Sequence, residues 1–137
     1  MAEHSLAALL PPVNEQNRPY WEGCAAGELR LQRCEECGTF RYPDSPRCPR
    51  CLSPRSTWQS TSGRGELWSW IVLHQRYFDA FADQLPYPVL WIRLDEGPFM
   101  MTGLVGEVSG LRIGQRMEVV FEQAVPGRTV PNFRVAP

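Results

Sequence analysis

From residue 66 onward the chain alternates in short runs. Residues 66–75 carry large apolar side chains on both parities, with Trp68, Trp70 and Val72 on one and Leu67, Ile71 and Leu73 on the other. A strand buried on both faces, or one curling around a barrel, has this pattern. Further strands are predicted over 88–95, 99–105 and 117–123, with a short fifth over 132–135. Asp95-Glu96-Gly97-Pro98 reads as a hairpin turn, and residues 110–114 as a second turn segment. Five short strands at this spacing fit a small Greek-key barrel of the OB type.

The pattern before residue 63 is different. Tyr20, Trp21, Cys24 and Ala25 recur at helical spacing and predict a helix over 14–28. Asn14 or Asn17 can cap it, Pro19 suits a first turn, and Gly27 is a natural stop. Trp21 on that stripe serves core packing, or belongs to a helix that docks a partner or lines a ligand groove. Residues 1–13 read as a loose arm ending at Pro11-Pro12. A strand over 29–33, a return strand with Phe40 and Tyr42, and a third with Thr57 and Trp58 follow. Gly63-Arg64-Gly65 reads as a hinge-like join. The expected division is an arm and helix at 1–28, a small metal-bearing ribbon at 29–62, and a barrel at 63–137.

Chemistry concentrates in the middle unit. Cys34-Glu-Glu-Cys37-Gly38 and Cys48-Pro-Arg-Cys51 supply four thiols from two Cys-x-x-Cys pairs, one loop apart. Each pair can chelate one ion from a single tight turn. Four thiolates complete a tetrahedral shell around zinc and leave no position for water or substrate, so such an ion is structural. The competing readings are two disulfides, reduced core cysteines, or iron in the same geometry. Gly38 can adopt a positive φ after the first pair. Leu52 stands at the same place after the second. A ribbon this small buries little, so the metal supplies much of its stability. Cys24 is the fifth cysteine and reads as a small buried residue.

Composition narrows the function. With 137 residues, 43% hydrophobic, the chain suits one compact unit or two small ones sharing a core. Thirteen prolines and 11 glycines favour short strands over long helices. All 14 basic residues are arginine, against 15 acids, for a formal charge of −1. Four thiolates with one divalent ion add two more negative charges. That balance argues against general attraction to nucleic acid or anionic membranes. No leader-like run or membrane-length apolar stretch is visible, which places the expectation in the cytoplasm with no membrane partner. Catalytic motifs are missing too: no His-Glu-x-x-His, no nucleophile elbow, no glycine-rich phosphate loop.

One connection is long and aromatic. Residues 76–87 hold Tyr77, Phe78, Phe81, Leu85 and Tyr87. These side chains plug one end of the barrel, or they form a contact surface for an apolar ligand or a partner. Arg76, Tyr77, Phe78 and Phe81 are the candidate contacts there, with Trp21 on the helix.

The order of parts is shared with a known family. Pro19-Tyr20-Trp21-Glu22, Gly27-Glu28-Leu29-Arg30-Leu31-Gln32-Arg33-Cys34, the four cysteines, Ser62-Gly63-Arg64-Gly65, Leu94-Asp95-Glu96-Gly97-Pro98 and Leu111-Arg112-Ile113-Gly114 together resemble OB-fold proteins with a rubredoxin-like zinc ribbon. These proteins are found beside thiolases and related acyl-CoA enzymes. The resemblance covers residues 15–135. It implies a mainly β fold with an N-terminal helix, a rubredoxin-like zinc ribbon and a five-stranded OB-fold barrel. It implies Cys34, Cys37, Cys48 and Cys51 as zinc ligands. It also implies an accessory subunit of a thiolase-like acyltransferase or a lipid-transfer-protein-type aldolase, with acyl-CoA at the shared interface. No CoA-binding residue is carried over. The alternative is a zinc-ribbon OB protein that binds single-stranded nucleic acid through Trp68, Trp70 and Trp91. Its charge pattern, arginines interleaved with acids, argues against it.

Overall fold

The structure is a computed structural model that describes residues 5–137. Residues 1–4, the first part of the expected arm, lie outside the described residues. The rest of the arm is not loose. Helix α1 (Leu6–Leu9) is one turn long, and the Ser5 hydroxyl accepts the Ala8 N–H at 3.3 Å.

Helix α2 (Arg18–Ala26) is shorter than the sequence suggests. Asn14 and Asn17 cap each other rather than the helix. Each backbone N–H donates to the other's side-chain oxygen, at 2.8 and 2.9 Å. That closed turn delays the helix to Arg18, with Pro19 in its first turn. Gly27 ends it in the left-handed region, at φ 79°. The next N–H, from Glu28, closes back onto the Gly23 carbonyl at 2.8 Å.

Strands β1 (Arg30–Cys34), β2 (Phe40–Arg41) and β3 (Ser56–Ser60) form an antiparallel sheet with β1 in the centre. Its strands lead into and out of the cysteine turns. The second sheet holds β4 (Arg64–Leu73), β5 (Tyr87–Leu94), β6 (Phe99–Thr102), β7 (Arg116–Val125) and β8 (Arg128–Val135), in the order β6-β5-β4-β7-β8. The first and last strands of that order approach each other. Leu104 makes a parallel bridge to Phe133, and the Val105 N–H donates to the Phe133 carbonyl at 2.8 Å. The sheet thereby curls into the OB-type half-barrel.

Three expectations need correction. First, the two-faced apolar pattern of β4 comes from a bulge. The pairing with β5 slips between Leu67 and Ser69, with Trp68 as the extra residue. Leu67 is fully buried before the slip, whereas Ile71 beyond it is 58% exposed. A single inserted residue exchanges the faces of everything after it. Second, the Gly63–Gly65 segment is no hinge. The Gly63 carbonyl accepts the Val119 N–H, and Gly65 pairs with both Met117 and Leu94. A Cβ on Gly65 would sit 2.5 Å from the Arg93 carbonyl oxygen, so only glycine permits this approach. Third, the last strand starts at Arg128, four residues before the expected start, and runs through Pro131 on the outer strand of the sheet order.

One hydrophobic cluster crosses all parts. Tyr20 and Cys24 from α2, Leu29 and Leu31 from the ribbon, and Leu67, Leu90, Ile92, Met100, Met117 and Phe133 from the barrel belong to the same core. The helix is the wedge between ribbon and barrel, and it lies against β8.

Candidate metal centre and ligand surfaces

The two cysteine turns are built alike. In the first, the Gly38 N–H closes on the Cys34 carbonyl at 3.0 Å, with Gly38 at φ 76°. In the second, the Leu52 N–H closes on the Cys48 carbonyl at 2.9 Å, with Leu52 at φ 66°. Backbone N–H groups point at the sulfurs: Cys37 to Cys34 at 3.5 Å and Arg50 to Cys48 at 3.4 Å. The four Sγ atoms all lie within 4.8 Å of one another. Cys34–Cys51 and Cys37–Cys48 are each 3.5 Å apart. A tetrahedral ion with bonds of about 2.3 Å requires sulfurs about 3.8 Å apart, so the donor set fits. None of the five cysteines is in a disulfide.

Electrostatics favour thiolate at the first cysteine turn, whereas Cys51 of the second, despite the Ser53 N–H, is raised to about 12 by desolvation and the neighbouring sulfurs. The Thr39 hydroxyl, 3.2 Å from Cys37 Sγ, and the Thr39 N–H bring that thiol down to about 6. Cys34 is lowered by the Cys37 N–H. Cys24 behaves in the opposite way. It is 1% exposed, and burial pushes its thiol up to about 11. Cys24 is thus a neutral core residue, as its sequence context suggests.

The long loop folds on itself. Residues Asp79–Gln84 form a 3-10 turn that brings Phe78 against Phe81 and Phe81 against Tyr87, with ring centroids 6.4 and 5.6 Å apart. Tyr77, Phe78, Phe81, Leu85, Tyr87 and Leu73 enclose a hollow of about 180 Å³ with almost no polar lining. Tyr77 and Phe78 remain 64% and 47% exposed. The loop therefore supplies an apolar pocket and an exposed aromatic rim together. Arg76 does not line this hollow. Its guanidinium is paired with Asp79 at 2.6 Å on the surface. Trp21 is elsewhere, between α2 and the ribbon, with Arg128 stacked over its ring at 4.6 Å.

The outer sheet face joins Trp68 and Trp91 with residues that the linear pattern does not place beside them. Phe99 stacks on Trp91 at 5.4 Å and meets Trp68 edge-on at 5.3 Å, while Arg93 covers Trp68 at 5.7 Å. Met101, opposite Trp91 across the strands, is 61% exposed. The cross-strand register, not the linear pattern, gathers these residues. Trp70 of the expected nucleic-acid platform turns instead against the core.

Two family models match the chain. Residues 21–56 match the rubredoxin-like zinc ribbon domain of ChsH2, and residues 58–122 its C-terminal OB-fold domain. A chain of a solved Ltp2–ChsH2(DUF35) aldolase superposes on 93% of this chain and 100% of its own length, with TM-score 0.82 and 34% identity. The chain belongs to the ChsH2 family of zinc-ribbon OB-fold proteins. A DUF35-family protein of unknown function from Sulfolobus solfataricus shares the fold, with TM-score 0.62 at 12% identity over 90% of this chain. Among relatives in sequence, a probable enoyl-CoA hydratase alpha subunit from Thermomonospora curvata is 35% identical over 92% of this chain. A DUF35 domain-containing scaffold protein from Methanocaldococcus jannaschii is 32% identical over 66% of it. The chain spans 39% of the hydratase subunit's length and 65% of the scaffold protein's. The match to a rubredoxin-like zinc ribbon and the four-cysteine cluster at residues 34–51 together point to zinc binding. Among the described residues no helix is long and apolar enough to cross a membrane.

Proposed function

We propose that this chain is a zinc-stabilised, non-catalytic accessory subunit of an acyl-CoA enzyme, docking on a thiolase-fold partner such as a lipid-transfer-protein-type aldolase. The likeness to the whole of one chain of an Ltp2–ChsH2(DUF35) aldolase carries the proposal. The relatives that are named as hydratase alpha subunits and as scaffold proteins support it.

The division of labour follows from the geometry. Cys34, Cys37, Cys48 and Cys51 hold the ion and fix the ribbon. When bound, the zinc supplies cross-linking and no reaction, because its four positions are filled by thiolates. Tyr20, Cys24, Leu29 and Leu31 join the ribbon to the barrel core, so order at the metal reaches the barrel. The helix and ribbon present a docking face. The hollow under Tyr77, Phe78 and Phe81 offers an apolar wall toward the partner's acyl-CoA channel. Trp68, Trp91, Phe99 and Met101 add a second apolar surface.

The nucleic-acid reading gains no support. Arg30, Arg55, Arg76, Arg116 and Arg134 are each paired with a carboxylate at 2.6–2.7 Å. Trp91 and Trp68 are already occupied by Phe99 and Arg93.

The deciding experiment is affinity capture. Zinc-loaded protein is incubated with nuclease-treated lysate of its own source, and bound proteins are identified by mass spectrometry. A thiolase-fold or aldolase subunit is expected. Retention of material only when nuclease is omitted contradicts the proposal. Turnover of an acyl-CoA by the isolated chain would contradict the non-catalytic part.

A further inference from the structure

Arg41 of β2 is a buried cation, 3% exposed, and no carboxylate among the described residues forms an ion pair with it. Its Nη1 donates to the Ser45 carbonyl at 2.9 Å. Its Nε and Nη2 are both sealed from solvent and have no hydrogen-bond partner among the described residues. These two nitrogens form one edge of the planar guanidinium. Their N–H bonds run parallel, at the spacing of the two oxygens of a carboxylate. The anchored nitrogen thus fixes the side chain, and the idle edge is the one suited to bidentate recognition. A buried charge left in this state is unfavourable for the fold alone.

The surroundings define what could complete it. Arg41 lines a hollow of about 170 Å³ between α2 and the ribbon, walled by Tyr20, Trp21, Tyr42 and Trp58 with Asn17 at its edge. These walls suit an apolar body. The rim carries Asp44, which Gln16 holds through Oδ2 at 2.5 Å. Arg41 offers one positive charge, and the rim carboxylate adds a negative one, so a phosphate dianion is disfavoured more strongly than a single carboxylate. The loop at residues 42–45, which follows Arg41 directly and supplies Tyr42, Pro43 and Asp44 to the lining of the hollow, pairs in no sheet. Its Ser45 N–H is tied to Gln32 Oε1 of β1 at 2.8 Å and its Ser45 carbonyl to Arg41 Nη1, so a ligand reaches Nε and Nη2 by a shift of residues 42–44 with Ser45 held in place.

We propose that this hollow is a binding site for a small apolar monocarboxylate, its two oxygens on Nε and Nη2 of Arg41 and its body among Tyr20, Trp21, Tyr42 and Trp58. The site lies apart from the hollow under Phe81 and stands whether or not the chain serves an acyl-CoA enzyme.

The test uses the zinc-loaded full chain and cyclohexanecarboxylate as probe. Calorimetry should show saturable binding with one site per chain. In a ¹H–¹⁵N spectrum of the arginine side chains, the Arg41 Nε–H resonance should shift with the same saturation curve. Cyclohexanecarboxamide, which has the same shape without the charge, should bind at least about tenfold more weakly, as should the probe to Arg41→Lys, which keeps a cation but loses the fork. Zinc content and circular dichroism establish that the variant is folded. If it is not, the Nε–H titration of the wild type decides alone. An Arg41 Nε–H that does not move, equal binding of the carboxamide, or inorganic phosphate moving that resonance as readily would each overturn the assignment. Asp44→Asn removes the one internal carboxylate able to compete for the fork. No probe binding in either the wild type or Asp44→Asn would also overturn it.

Discussion

Leu52 adopts at the second cysteine turn the left-handed backbone that Gly38 adopts at the first, with φ 66° against 76°. The two residues make the same hydrogen bond, back to the carbonyl of the first cysteine of their pair. Only one of them suits it. A side chain in that region costs about 1–2 kcal/mol, which the second cysteine turn enforces through the Leu52 N–H bond to the Cys48 carbonyl. Leu52 is 66% exposed and has little packing to lose.

Leu52→Gly should therefore stabilise the zinc-loaded protein. Relief of strain offsets the extra chain entropy of glycine, about 0.5–1 kcal/mol, so the net gain is up to about 1.5 kcal/mol. Chemical denaturation at fixed zinc measures it. A loss of stability would mean that the Leu52 side chain makes contacts that matter.

The bulge at Trp68 makes a sharper contrast. By simple alternation Leu67 and Ile71 share a face of β4, yet the slip in register buries the first and exposes the second. Leu67→Ala should cost about 2–5 kcal/mol, and Ile71→Ala less than about 1 kcal/mol. Equal losses in denaturant unfolding would show that the strand is regular.

Cys24 gives a chemical prediction. Burial raises its thiol to about 11, so at pH 8 almost none is thiolate. The folded, zinc-loaded protein should show no rapidly alkylated cysteine by mass spectrometry. After chelation the four ligands should label first and Cys24 last. Labelling of Cys24 at the rate of a free thiol would contradict the packing of α2.

Acid sensitivity follows from Asp95. Its carboxyl is lowered by two hydrogen bonds from Arg116, at 2.9 and 2.6 Å. A lowered carboxyl contributes stability above its unfolded pKa of about 3.9, and the contribution is lost as pH falls through the folded value. The pair is half exposed, so Asp95→Asn should cost less than about 1 kcal/mol at pH 7. The difference from wild type should shrink below about pH 4. A gap that widens on acidification would contradict the assignment.

The parts of this protein differ in how far the sequence discloses them. The four-cysteine cluster is legible because chelation fixes residue type and spacing together: that Cys34, Cys37, Cys48 and Cys51 converge could be read directly. Strand positions β5 to β7 are legible from alternation bounded by glycine and proline. The bulge at Trp68 is not, because an inserted residue makes two one-faced patterns look like one two-faced strand. The helix start is missed because Asn14 and Asn17 satisfy each other, a pairing that residue preference alone does not distinguish from a cap. The Trp68–Trp91–Phe99 cluster depends on register across three strands. Arg41 lies between Phe40 and Tyr42 and looks like an ordinary surface arginine. Only the closure of the ribbon over it leaves its fork buried.

Zinc-dependent docking is the central claim, and one measurement reaches it directly. The zinc-loaded chain and the purified thiolase-fold subunit of its own source are mixed and followed by sedimentation velocity, beside the Cys37→Ser variant. A defined heterocomplex with the wild type, lost in the variant together with its zinc, is the predicted result. No complex with the zinc-loaded chain, or a zinc-free variant that binds equally well, would contradict it.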